Sequence, residues 1–146
     1  MGKKSYITEF DKSVMEKWLL KENIVTQGQF DIICKIENYL LAMGKTLYPL
    51  DIILEVSRFY KVSIRDMVGR KRRDEKARKA RKVAIYMIDN EAAGLVNYVD
   101  IARIMGRGAS SSTVANAIEY STDCLRNKLD NLQNDIPNIY ECLIKS

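Results

Sequence analysis

Residues 70–82 read Arg70-Lys71-Arg72-Arg73-Asp74-Glu75-Lys76-Ala77-Arg78-Lys79-Ala80-Arg81-Lys82. Nine of these 13 residues are Lys or Arg and two are acidic, a surplus of seven positive charges. The whole chain of 146 residues carries only +5, so everything outside the stretch sums to −2. Charge concentrated in this way is a directed electrostatic footprint, not a diffuse basic character. The first four residues read as a loop or helix entry. From Asp74 the spacing turns helical, with Asp74 and Glu75 placed to complement a helix N-terminus. On the helical wheel Ala77, Ala80, Val83, Ala84 and Met87 share one arc, and Arg78, Lys79, Arg81 and Lys82 take most of the other. The pattern predicts one face in a core and one face presenting cations. Most charge runs are merely solvated. Here acidic i+4 partners are nearly absent and the basic loop leads straight into the helix, which favours an anion-binding surface.

Upstream, a short helix is expected from its Ser63 cap through Met67, with Asp66 three residues after the cap and Gly69 closing it. Before it lies a helix over Leu50 to Tyr60 with Pro49 in its first turn and Ile52, Ile53, Val56 and Phe59 inward. Two further amphipathic helices are predicted, Ile7 to Glu22 and Gln29 to Met43, separated by a break at Asn23 to Gly28, with Gly44 as a C-cap. Gly44-Lys45-Thr46 imitates the tail of a phosphate-binding P-loop. That motif needs another glycine five residues earlier, where Tyr39 stands, and a preceding strand rather than a helix. A nucleotide site is excluded.

Downstream, Ala92 to Asn97 reads as a turn and Val99 to Met105 as a short helix burying Ile101, Ala102 and Met105. Gly106-Arg107-Gly108-Ala109 is a turn, after which Ser110, Ser111 and Ser112 are successive N-cap candidates for a helix starting near Thr113. Short helix, glycine turn and Ser/Thr-capped second helix together make a helix-turn-helix, which lays the start of its second helix in the DNA major groove. That end carries free backbone N–H groups, and here Arg107 as well. Ser and Thr hydroxyls can bond phosphates or base edges. The tail, Asn127 to Ser146, is expected to be broken at Pro137 and to end in a helical turn packed on the core.

Two prolines and seven glycines, with 47% hydrophobic residues, favour an ordered, all-α chain. Three cysteines without a CxxC pair (Cys34, Cys124, Cys142) fit reduced thiols rather than disulfides or zinc. The chain has no histidine, which removes the commonest general base, metal ligand and nucleophile partner. No enzyme activity, cofactor, metal or small-molecule substrate is expected. Residues 1–10 show neither a signal-peptide core nor a myristoylation pattern, and no apolar run approaches the ~20 residues that span a bilayer. The expectation is a cytoplasmic, nucleoid-associated protein with no membrane partner.

Four segments together resemble one family: DIILEVSRFYKVSIRDMVGRKRR (51–73), ARKVAIYMI (80–88), IARIMGR (101–107) and STVANAI (112–118). They are similar to the C-terminal DNA-binding domain (domain IV) of the bacterial replication initiator DnaA, a domain also found on some transposases and phage proteins. Arg81 to Met87 matches the family's long-helix motif. Ile101 to Arg107 matches its I-G-x-x-x-G-R element with Ala102 for glycine, and Ser112 to Ala117 matches its [ST]-T-V-x-H-A element with Asn116 for histidine. The resemblance covers about Leu50 to Leu125.

The resemblance implies a Trp-repressor-like helix-turn-helix core with two extra N-terminal helices and a C-terminal helical tail. It divides the chain into an extension (1–46, for packing or homodimerisation), a DNA-binding domain (47–126) and the tail (127–146). It also implies that Arg72 or a neighbour in the loop reaches the minor groove, that Arg81 and Lys82 touch phosphates, and that the last helix reads the major groove. The family's Asp-His pair is replaced by Gly108-Ala109-Ser110-Ser111, so the initiator's own recognition sequence does not carry over. The reading is a double-stranded DNA-binding regulator of replication or transcription, phage- or mobile-element-encoded in one version. Arg70, Lys71, Arg72, Arg73, Arg78, Arg81 and Lys82 are its phosphate contacts, and Arg107, Ser110, Ser111, Ser112, Thr113 and Asn116 lie at the major groove. The alternative is a protein-interaction module that keeps the fold and binds an acidic partner.

Overall fold

The helix expected from Asp74 onward is the centre of the structure, a computed structural model that describes residues 9–68, 74–92, 94–106 and 109–144. Among these residues there are eight helices and no strand. They are α1 (Glu9–Lys21), α2 (Gln27–Ala42), α3 (Pro49–Tyr60), α4 (Ile64–Val68), α5 (Glu75–Ala92), α6 (Tyr98–Met105), α7 (Ser111–Asn127) and α8 (Leu132–Ile144). None of these helices is long and apolar enough to cross a membrane. Helices α3 and α7 pack most extensively on α5, α2 and α7 pack on α6, and α8 packs on α3 and α7.

Local chemistry explains where these helices start and stop. Pro49 occupies the first turn of α3, where its missing N–H costs nothing, and Lys61 in the left-handed conformation (φ 57°) ends that helix. Ser63 Oγ accepts the Asp66 N–H at 3.0 Å, and Asp74 Oδ1 accepts the Ala77 N–H at 2.8 Å, so α4 and α5 are both capped as expected. Gly69 lies outside the described residues. Helix α7 begins at Ser111, two residues before the expected start. Ser110 is the cap because it alone of the three serines has Thr113 three residues on. The two side chains exchange bonds with each other's backbone N–H, at 3.3 and 3.1 Å.

A single apolar core runs through all the expected divisions. Leu19, Ile33, Ile36 and Leu40 from the extension join Leu50, Ile53, Val83, Met87, Ile101 and Val114, and so do Leu132, Ile136, Ile139 and Leu143 from the tail. The expected break at Pro137 does not occur: α8 is continuous, with Pro137 exposed inside it. An interior proline costs about 3 kcal/mol. Four apolar residues at helical spacing on one side of α8 are buried, each worth roughly 1.5–3 kcal/mol, and they outweigh it.

Candidate nucleic-acid interface

Helices α5 and α7 pack on each other, and both bury small residues, Ala77, Ala80 and Ala84 on α5 and Ala117 on α7. Beside this seam opens a cleft of about 430 Å³ lined by Arg78, Arg81, Lys82, Ile85, Thr113, Asn116 and Ala117. It therefore joins three of the cations singled out in the sequence to two residues from the first turns of α7. Arg81 departs from the expected cation face, being 8% exposed. The reason is register. Ala77, Arg81, Ala84 and Ile88 recur at steps of four, three and four, which is the core stripe of a helix, so only one edge of Arg81 reaches the cleft.

The remaining cations of α5 are held in different ways. Lys82 Nζ sits 4.4 Å from the centre of the Tyr120 ring, an aromatic on α7 that the sequence reading passed over. Its position four residues after Asn116, on the same side of the helix, was the available signal. Lys79 pairs with an acidic residue of the tail. Its ammonium lies 3.5 Å from Asp135 Oδ2, donates to the Asp130 carbonyl at 2.7 Å, and stands 5.3 Å over the Tyr60 ring. Tyr60 donates to Asp135 Oδ2 at 2.8 Å and Tyr120 donates to Asp130 Oδ2. Burial, reinforced by these carboxylates, raises both phenols above the ordinary tyrosine range, so both remain donors. Asp130 and Asp135 of the tail thus tie down Lys79, while Arg78 is exposed and lines the cleft.

At the start of α7 the structure separates the polar residues into two groups. The Ser110 and Thr113 side chains are engaged in the capping box. Ser111, Ser112, Ala115 and Asn116 are exposed. The turn entering this helix is held from below by Gly106, whose φ is +95°. A β-carbon there would lie 2.2 Å from the Val68 carbonyl oxygen and 2.8 Å from Gln29 Nε2. A second groove, about 750 Å³, runs past Gly28 and Ile32 of α2, Val99 and Arg103 of α6, and Ser110 and Ser111. Arg103 on its wall is exposed and lies 3.4 Å from Asp100.

Arg70, Lys71, Arg72, Arg73 and Arg107 lie outside the described residues. Among the described residues no cluster of His, Cys, Asp or Glu could hold a metal ion. The chain matches no protein-family model, no curated protein and no solved structure.

Proposed function

We propose that the chain is a double-stranded DNA-binding protein. In this reading α6, the Gly106 turn and α7 form a helix-turn-helix on a Trp-repressor-like core, and α5 with the basic loop before it tracks the phosphates. The observation that carries it is the cleft between α5 and α7, where Arg78, Lys82 and the edge of the buried Arg81 line one cleft with Thr113 and Asn116. Side chains that bind a backbone and side chains that face base edges must lie within one groove width of each other for a helix to be read into DNA. The open N–H groups of the first α7 turn add a positive end to the same side. A role in replication or transcription control follows from such binding.

The test is binding to random-sequence duplex DNA by the whole chain at several salt concentrations, with an Arg78→Ala/Lys82→Ala variant alongside. Neutralising about six phosphates gives a slope of log affinity on log salt near −5. The expected result is a steep slope, reduced in the variant. Absence of duplex binding at low salt overturns the reading and turns attention to an acidic protein partner.

A further inference from the structure

The exposed face at the start of α7 contains few groups able to distinguish one base pair from another. The Ser110 and Thr113 hydroxyls each accept the other residue's backbone N–H, which leaves each only a rotating O–H to offer a base. Ser111 and Ser112 are exposed, but a single rotating hydroxyl can either donate or accept and so discriminates poorly. Ala115 has no polar atom. Asn116 is different: it is exposed, and its carboxamide makes no hydrogen bond to a described residue. A carboxamide presents an acceptor and a donor side by side in a rigid plane.

Position matters as much as type. Asn116 stands one helical turn beyond Ser112 and lines the cleft with Arg78, Arg81 and Lys82. A duplex whose phosphates rest on Arg78 and Lys82 offers its groove edge to Asn116. One turn further on, the exposed carboxylate of Glu119 meets any phosphate with repulsion, which confines reading to the first two turns.

We infer that Asn116 reads adenine, so that the DNA preferred by this chain carries an A·T pair at the position it faces. Among the four bases only adenine shows a donor (N6) beside an acceptor (N7) in the major groove. The Asn116 Oδ1 accepts from N6 and Nδ2 donates to N7. Guanine offers two acceptors, which would leave Oδ1 facing a lone pair, and cytosine and thymine offer one group each. The inference rests on the DNA-binding reading above and adds to it a base identity.

The experiment is a selection from a random duplex pool with the whole chain, in parent, Asn116→Ala and Asn116→Gln forms, followed by affinity measurements on the selected sites. In the parent, one position is expected to be adenine, and its change to G·C should weaken binding about ten- to one-hundred-fold. Asn116→Ala should erase the preference at that position alone, with the salt slope unchanged, and Asn116→Gln, with the same carboxamide, should keep adenine there. Selected sites in which no adenine depends on residue 116 would overturn the inference while leaving DNA binding intact. Failure of the parent to retain any duplex would overturn both.

Discussion

Gln29 Nε2 donates to the backbone carbonyl of Val68 at 3.1 Å, and the same nitrogen donates to Ile104 O at 3.2 Å. Its Oε1 meanwhile accepts the Thr26 N–H at 3.0 Å, closing the capping box of α2. One buried side chain therefore clamps the ends of α4 and α6 to the start of α2. The extension thus supports the turn that enters α7.

Removing this clamp leaves two carbonyls without their amide donor. Gln29→Ala is expected to destabilise the fold by about 3 kcal/mol, from the lost buried bonds and the lost cap. Urea denaturation of parent and variant checks this. A loss under about 0.5 kcal/mol, the size of an ordinary surface change, contradicts it.

Gly106 lies against the same clamp. In Gly106→Ala the added methyl meets Val68 O at 2.2 Å in a backbone conformation that L residues rarely adopt. The expected cost is at least about 3 kcal/mol, combining the overlap with the unfavourable φ. Thermal unfolding should show a large drop in Tm.

The two lysines on α5 should behave differently toward duplex DNA. Lys82→Ala is expected to reduce the magnitude of the salt slope by about 0.9, the value of one phosphate contact. Lys79→Ala should leave the slope almost unchanged, because Asp135 and the Asp130 carbonyl already hold that ammonium. Equal effects from both substitutions would contradict the assignment of Lys79 to the tail.

Glu55 supplies a pH dependence. It is 3% exposed, its Oε1 has no hydrogen-bond partner among the described residues, and burial raises its carboxyl above the usual range. The folded state therefore keeps a proton that the unfolded chain releases near its ordinary pKa of about 4.3. Stability contributed by the neutral form is complete below that value and falls as pH rises toward the raised one. Asp89, also raised by burial, acts with the same sign. Glu55→Gln should be more stable than the parent at pH 7 and lose less stability between pH 4 and 7, as read from urea midpoints.

Pro137 is a liability inside α8. Pro137→Ala restores an N–H to the helix at an exposed position and should stabilise the protein by up to about 3 kcal/mol. A higher urea midpoint with an unchanged m-value is the expected observation.

The helices, the Ser63 and Ser110 caps and the cationic stretch were legible in the sequence because each depends on neighbours within about one turn. Ser63, Asp74 and Pro49 act on backbone three residues away or less, and the apolar steps of three and four declare the buried faces. Where the reading departed, longer-range packing had decided. Helix α8 passes through Pro137 because its apolar stripe finds a core made by other helices. Arg81 is buried because its position on the core stripe outweighs its charge.

The sequence by itself determined an all-helical chain with its positive charge gathered on one segment, since periodicity, capping and charge are properties of adjacent residues. Only the tertiary structure decided which of those charges remain available. Lys79 is neutralised by a tail residue, Lys82 stands over Tyr120, and Gln29 reaches carbonyls 39 and 75 residues away. Such pairs have no periodicity to betray them, because they form only when separate helices are packed against one another and their polar groups must find partners out of water.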